Sequence, residues 1–336
     1  ADPLWILGGE KKQYPETGKL YDISWRPEPR DESGNLDLHK PYVDGIFFRC
    51  KCGGLMKRTP EVIDVWFDSG SMPFASDPSG YPADYIVEAI DQTRGWFYSL
   101  LAVATLLGKK TPYKNVISVG HLLDKNGKKM SKSLRNIVDP FELLEKYGAD
   151  AVRWYFFTIN QPWDSKLFKE EDVKDAQRRF FVILENIVSF LKMYEVRSEK
   201  LEVGNEKLII NKWLIAQFNK VIADIIRKLD KYEVVGAARY LENFITEDIS
   251  RWYIRQIRDV MKEDSEEKME TESVLRFVLL ETSKLLASFA PFVSERIYKN
   301  INGEKESVHL EDFPEAGKIE EKLLEDMIEV RHIVSL

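Results

Sequence analysis

Cysteine and histidine are scarce in this 336-residue chain, which has two cysteines, Cys50 and Cys52, and four histidines. Two cysteines build no disulfide framework, and a Cys-x-Cys pair supplies at most part of a tetrahedral zinc set. Long apolar runs are missing as well. No stretch reaches the roughly 18 apolar residues of a membrane-crossing helix. The first residues lack the charged, apolar and small-residue order of a secretory leader, so a cytoplasmic location is expected. Excess positive charge is also lacking. With 49 Lys and Arg against 56 Asp and Glu, the formal net charge is −7, which argues against a protein that coats nucleic acid nonspecifically yet permits local basic patches. Solenoid repeats and low-complexity tracts are absent. What remains is globular composition, 44% hydrophobic and 12% aromatic, in a chain long enough for two or three domains.

Residues 1–60 are broken by Gly8-Gly9, Pro15, Pro27, Pro29 and Gly34-Asn35, so loops and short strands are expected there. The run Tyr85-Ile86-Val87-Glu88-Ala89-Ile90 has strand length. Asp91 is placed to N-cap a helix through Trp96, Phe97, Leu100, Leu101 and Ala104 to about Leu107. Residues Asn115 to Gly120 form a second strand, completing a βαβ unit with a parallel sheet. Ligands bind beyond the carboxyl ends of such strands, where Glu88, Asp91 and Gln92 follow the first strand and His121 follows the second. Asp139-Pro140 opens a short helix that ends at Gly148. Beyond it, Phe180, Leu184, Ile187, Leu191 and Tyr194, then Leu214, Phe218, Val221 and Ile225, give apolar stripes at helical spacing. A third helix is expected from Phe244 through Met261 and a fourth from about Thr271 to Ala290, separated by the charge run Lys262 to Lys268. The second half thus predicts an antiparallel helix bundle.

One segment stands out chemically: Lys129-Met130-Ser131-Lys132-Ser133, preceded by a glycine at 127. Two ammonium groups and two hydroxyls close together on a loop suit a polyphosphate leaving group, although a Lys/Ser-rich loop is also ordinary solvated surface. Its company matters. Asp64-Val65-Trp66-Phe67-Asp68-Ser69-Gly70-Ser71 and Glu88-Ala89-Ile90-Asp91-Gln92-Thr93-Arg94-Gly95-Trp96-Phe97 precede it. In this order the three segments resemble the class I aminoacyl-tRNA synthetases, and within that class the isoleucyl branch. Residues 37–44, Gly148 to Trp154, Ser250-Arg251-Trp252-Tyr253, Ala290-Pro291-Phe292 and Ser307 to Asp312 extend the likeness over essentially the whole chain.

The resemblance implies an α/β second half of a class I Rossmann-type catalytic domain followed by an all-α antiparallel helix bundle. It implies a connective segment at 1–63, the catalytic half at 64–150, a stem-contact linker at 151–175 and a helical anticodon-binding domain at 176–336. The implied activity is ATP- and Mg2+-dependent formation of isoleucyl-adenylate and transfer to tRNA(Ile). Lys132, Lys129 and Ser131 would act in catalysis, with Ser133, Met130 and His121 also on the ATP side. Glu88, Asp91, Gln92, Trp66 and Trp96 would bind isoleucine and its adenylate. Arg178, Arg179, Arg251, Arg255 and Arg258 would meet tRNA phosphates. Bland readings stand beside these: a hydrogen-bonding histidine for His121, core packing for the tryptophans, including Trp252, and solvated faces for the arginines. Leu7-Gly8-Gly9-Glu10 replaces the family's first cysteine pair and Cys50 and Cys52 are spaced by one residue rather than two, so no zinc site is expected; the pair reads as a degenerate zinc pair or as two small apolar residues in a turn. The family's His-x-Gly-His signature and its editing insertion are not in these 336 residues. The isolated chain is therefore expected to need a partner half for adenylation, and a split-synthetase subunit, a tRNA-binding module or a valine-specific enzyme are the alternatives.

Overall fold

The computed structural model describes residues 5–8, 21–22, 44, 46–60, 64–76, 78–131, 136–194 and 206–335. Lys132, Ser133 and Arg135, with Gly9, Glu10 and residues 37–43, lie outside the described residues. The chain divides into two compact units, Ala1–Ile86 with Asp91–Val116, and Val87–Ile90 with Ile117–Leu336.

In the first unit, β1 (Trp5–Gly8), β2 (Tyr21–Asp22), β3 (Ile46–Arg49) and β4 (Leu55–Arg58) form a sheet of order β1-β4-β3-β2, with its described pairings antiparallel. Helix α1 (Val65–Ala75) follows, its N-cap Asp64 accepting the Trp66 amide at 2.7 Å. A 3-10 turn, Ile90–Arg94, leads to α2 (Trp96–Leu106), and the strands before and after, β5 (Ile86–Ala89) and β6 (Val116–Val119), belong to the second unit except for Ile86 and Val116. β5 and β6 pair, entered by a parallel bridge in which the Ala83 amide donates to Pro112 O and the Lys114 amide to Ala83 O, both at 2.9 Å. Ile86, Phe97 and Leu100 make a small core with Ala83, Trp96 and Tyr113. The expected cap is corrected: α2 starts one turn later, after Gly95, and the side chain serving its first turn is Gln92, whose Oε1 accepts the Trp96 amide at 2.8 Å. The 3-10 turn consumes the residues after Asp91, so Asp91 stands too early to cap.

In the second unit β7 (Leu122–Leu123) precedes α3 (Pro140–Tyr147) and α4 (Ala149–Thr158), and pairs in parallel with β8 (Lys166–Leu167). Asp139 caps α3 through the Phe141 amide at 2.8 Å. Gly148, at φ +81°, separates α3 from α4, a backbone conformation that glycine adopts without steric cost. Then come α5 (Glu170–Ala176), a π-helical turn over Gln177–Phe181, α6 (Val182–Met193), α7 (Ile209–Leu229) and α8 (Val234–Asn243). A π-helical stretch, Phe244–Tyr253, runs into α9 (Ile254–Ile257), followed by α10 (Glu266–Leu286), α11 (Pro291–Asn300) and α12 (Glu321–Ser335). Both apolar stripes read from the sequence enter one core, where Phe180, Leu191, Leu214, Phe218 and Ile225 are fully buried.

The third and fourth helices begin earlier than expected. Helix α8 opens at Val234 because the chain turns at Tyr232, a non-glycine residue at φ +58°, so no Gly or Pro announces the break. Helix α10 starts inside the charge run because Ser265 accepts the Lys268 amide at 3.2 Å as an N-cap, and it stops at Leu286, four residues before Ala290.

Asn211, fully buried on α7, is the polar knot of this core. Its Nδ2 donates to Glu270 Oε1 at 2.8 Å and Thr271 Oγ1 at 3.1 Å, while its Oδ1 accepts the Tyr253 hydroxyl at 2.6 Å. Glu270 also accepts the Lys207 and Leu208 amides at the start of α7. Three helical segments therefore share one satisfied network, and removing its centre strands several buried polar groups. Asn211→Leu is expected to lower unfolding free energy by about 2–4 kcal/mol, measured by urea denaturation followed through helical circular dichroism; a loss within about 0.5 kcal/mol, the usual range for a surface change, would contradict this role.

Candidate functional site

The indole residues are positioned by two glycines. A Cβ on Gly70 would lie 2.6 Å from Ser99 O, so only glycine lets α1 sit this close to α2. Across that contact Trp96 Nε1 donates to Ser69 O at 3.2 Å. A Cβ on Gly95 would lie 3.2 Å from Trp66 Cη2 and 2.6 Å from Gln92 Oε1, so the absent side chain leaves room for the Trp66 ring and the Gln92 amide at the start of α2. Trp66 is 44% exposed although large and aromatic, and Val65, Phe67 and Met72 are exposed with it. Of these, the Trp66 ring lies beside Gly95 together with the Gln92 amide. Asp91 is exposed in the same unit, whereas Glu88, also exposed, belongs to the second unit at the end of β5.

The loop rises from a tight turn after β7. Gly120 is required before it, since a Cβ there would meet the Asp164 carbonyl at 2.5 Å. The His121 carbonyl accepts the Lys166 amide at 2.9 Å, which seats His121 at the foot of the β7–β8 pair. The Lys166 side chain is buried and donates to Asn160 Oδ1 and Gln161 O at 2.5 and 2.9 Å; burial depresses its pKa. Asp124 then organises the turn, its Oδ1 accepting the Asn126 and Lys128 amides at 2.8 and 2.9 Å. Gly127 takes φ +78°, and Leu123 bridges Lys129 in antiparallel sense. Lys129 is exposed, while Met130 and Ser131 are half-buried. Asn136, beyond the loop, accepts the Ser131 amide through Oδ1 at 2.9 Å and donates from Nδ2 to Asp124 Oδ2 at 2.8 Å and Lys129 O at 3.3 Å. The Asn136 hydrogen bond and the Lys128 amide are the leading causes holding the Asp124 carboxyl below its usual pKa.

The arginines separate into two sets. Arg251, Arg255 and Arg258 line a concavity of about 430 Å³ with Ser250. Arg251 is paired with Glu247 at 2.6 Å, whereas Arg255 and Arg258 make no ion pair among the described residues. Arg178 and Arg179 stand exposed on the π-helical turn, with Arg179 3.7 Å from Asp175. Trp252 packs against the core under the Arg331 guanidinium, 5.5 Å from its ring centroid. Cys50 and Cys52 occupy the turn between β3 and β4, where hydrogen bonding to the Gly54 backbone and to Cys50 lowers the Cys52 pKa. Among the described residues no three His, Cys, Asp or Glu side chains gather as a metal group.

Two known families match the chain. "tRNA synthetases class I (I, L, M and V)" matches residues 12–167 and "Anticodon-binding domain of tRNA ligase" matches residues 211–336, so the chain belongs to the class I tRNA synthetases. At the level of particular proteins it is 41% identical over 350 residues to the isoleucine–tRNA ligase of Dehalococcoides mccartyi strain CBDB1, covering 96% of this chain and 34% of that protein. It is 44% identical over 322 residues to the isoleucine–tRNA ligase of Bacillus thuringiensis strain Al Hakam, covering 90% and 31%. The chain thus spans about a third of the length of the curated relatives it matches. Among solved structures, the LeuRS of Agrobacterium radiobacter K84 complexed with tRNA and LeuAMS shares the fold at a TM-score of 0.61 and 19% identity, over 83% of this chain and 36% of that one. Mycobacterium tuberculosis methionyl-tRNA synthetase with methionyl-adenylate does so at 0.59 and 19%, over 73% and 54%.

Asp124 and Asn136 did not figure among the sequence-derived site residues. Asp-x-Asn-Gly at 124–127 is a turn signature that could have drawn attention to Asp124, but Asn136, five residues past Ser131, has no local signal. The α1–α2 approach offers a direct test of how the indoles are held. Gly70→Ala is expected to cost about 1–3 kcal/mol by overpacking and to speed proteolytic cleavage within residues 64–116. Gly236→Ala is the control, since its Cβ would meet only the flexible end of Lys228 at 3.4 Å; equal protease resistance of the two variants would remove the glycine from this role.

Proposed function

We propose that this chain supplies the second half of the catalytic centre of an isoleucine–tRNA ligase together with helices that hold tRNA(Ile). What supports this reading is the exposed indole: a half-exposed Trp66, given room by Gly95 beside the Gln92 amide, is poor surface chemistry but a good face for an aliphatic amino acid. In this reading residues 1–63 connect, 64–150 form the catalytic half, 151–175 contact the tRNA stem and 176–336 read the anticodon arm. The setting is cytoplasmic.

The isoleucine carboxylate attacks the α-phosphorus of ATP, the bond to the bridging oxygen breaks, and pyrophosphate leaves. ATP enters as its magnesium complex, the ion travelling on the phosphates as part of the substrate. Lys129 and Lys132 neutralise the charge that gathers on the departing pyrophosphate, and Ser131 and Ser133 donate hydrogen bonds to it. His121 serves the nucleotide side with Met130. Glu88, Asp91 and Gln92 orient the amino acid and its adenylate, while Trp66 and Trp96 cover its side chain. A tRNA ribose hydroxyl then attacks the activated carbonyl and AMP leaves. An apolar wall separates isoleucine from valine by one methylene, worth about 1–3 kcal/mol.

The 336 residues hold no His-x-Gly-His sequence, so the chain alone should not exchange pyrophosphate and the partner half should restore isoleucine-dependent exchange. Lys132→Ala in that assembly is expected to lower the rate about 10²- to 10³-fold, a loss of about 2–4 kcal/mol of transition-state stabilisation. Exchange by the pure chain, or valine preferred over isoleucine, would sink the assignment. tRNA binding with no restored exchange would leave a tRNA-binding module in its place.

On the helical side, Arg255 and Arg258 are the favoured phosphate contacts, with Arg251 beside them and Arg178 and Arg179 as a separate exposed set. The isolated chain should bind tRNA weakly and with steep salt dependence. Replacing both Arg255 and Arg258 by Ala should reduce the slope of log K against log salt by about 2. An unchanged slope in filter binding would move the tRNA elsewhere.

A further inference from the structure

A side chain outside the pentapeptide bonds to Lys129 and Ser131 in the loop read as phosphate-binding. The loop's two ends, Ser131 and Asn136, are joined by one side-chain amide. Asn136 Oδ1 accepts the Ser131 N–H, and its Nδ2 reaches both Asp124 Oδ2 and the Lys129 carbonyl. Asp124 in turn spends its other oxygen on the Asn126 and Lys128 amides. The backbone on either side of Met130 is therefore fixed by two side chains from outside the pentapeptide. Asn136 and Asp124 are half-buried, whereas Lys125 to Lys129 are exposed. An open cavity of about 510 Å³ adjoins them, lined by Asp124 and Asn136 together with Met130, Ile137, Val138 and Phe168.

We propose that Asn136 and Asp124 are positioning residues for pyrophosphate release: they set the backbone of Lys129 and Ser131, and so aim the groups that meet the leaving phosphates. The proposal rests on the reading of this loop as the leaving-group clamp. In this reading both residues act through Lys129 and Ser131 rather than on the substrate itself. The hydrogen-bond pattern also specifies its own repair. Asp124→Asn alone turns a donor toward the Asn136 amide donor and breaks the link. When Asn136→Asp is added, the new amide at position 124 donates to one oxygen of the new carboxylate at position 136. The other oxygen of that carboxylate accepts the Ser131 amide, so the bonds to position 124 and to Ser131 re-form with reversed polarity, while the Lys129 carbonyl loses its donor and faces a carboxylate oxygen.

The test measures isoleucine-dependent pyrophosphate exchange in the assembly of this chain with its His-x-Gly-His half. Displacement of a reacting group by about 1 Å costs on the order of 10²-fold. Asn136→Ala and Asp124→Asn are accordingly each expected to lower kcat about 10- to 100-fold, with the KM for isoleucine unchanged within about twofold. The double swap should recover part of the loss, which a merely destabilised loop would not do. In the chain itself, exchange of the Ser131 amide hydrogen should accelerate at least about tenfold in Asn136→Ala with the unfolding midpoint unmoved. A kcat within twofold of the parent, or a swap as slow as the single variants, would overturn the proposal. Lys132→Ala separates the two levels: if it keeps full exchange, the clamp reading itself fails, whereas loss in Lys132→Ala with none in Asn136→Ala sinks only the positioning role.

Discussion

The corner between α10 and α11 is gripped from α4 by two opposite charges, and the arrangement of the second unit depends on that grip. The Asp150 carboxylate accepts the Val293 amide at 2.6 Å, in the first turn of α11. Arg153, one turn along α4, donates to the Phe289 and Ser288 carbonyls at 2.9 and 3.0 Å, just past the end of α10. An anion thus meets the positive end of one helix and a cation the negative end of the other, each worth up to about 2 kcal/mol when partly buried. Trp154 completes the joint by stacking on Phe180, with ring centroids 4.0 Å apart. Burial pushes the Asp150 pKa up, and the Val293 amide and Arg153 work against that shift.

This joint explains why Gly148 to Trp154 and Ala290-Pro291-Phe292 behave as one feature although they are far apart in sequence. The first supplies the capping charges and the second the helix ends. It also links the loop to the helices by a short rigid route. Asn136 is followed by the Asp139 cap, then α3, the Gly148 turn and α4. The loop is therefore mounted on the element that clamps α10 and α11. A chain segment read as phosphate chemistry and a segment read as tRNA-binding share a single core within the second unit.

Local signals made most of this legible. Asp139-Pro140 and Gly148 carry the start and stop of α3 in their own backbone preferences, and the stripes of α6 and α7 carry their burial in their spacing. Where the outcome depended on residues distant in sequence, the reading fell short. Asp91 looked like a cap until a 3-10 turn displaced the helix start and Gln92 took the task. The break before α8 rests on Tyr232 in a conformation that its residue type does not advertise. The π-helical stretch from Phe244 to Tyr253 has no sequence signature at all, and we have no physical account of its length. At the site, the indoles and the Lys/Ser loop were visible as residue types, but the glycines and the Asn136–Asp124 link that hold them are defined only by three-dimensional approach.

The residues that carry the family likeness also divide by what happens to their polar atoms. Tyr253 spends its hydroxyl on Asn211, and Ser307 its hydroxyl and Val308 its backbone amide on Glu295; the pKa of Glu295 falls to about 2, led by its bond to Lys299. Asp248 is consumed by Gln217 and Arg331. These groups are committed to the fold, and a ligand would have to break existing bonds to use them. Arg255 and Arg258 are not committed in this way among the described residues, and the Trp66 ring is left half in solvent. Within one stretch, Ser250 to Arg258, the buried faces of Tyr253, Ile254 and Ile257 fix the segment while Arg251 pairs with Glu247 and Arg255 and Arg258 stay available. Spacing decides this split, since residues at 251, 255 and 258 fall on one side of a helical segment and 253, 254 and 257 on another. The same few turns can therefore be read both as core and as a surface for phosphates, and the two readings compete for different residues.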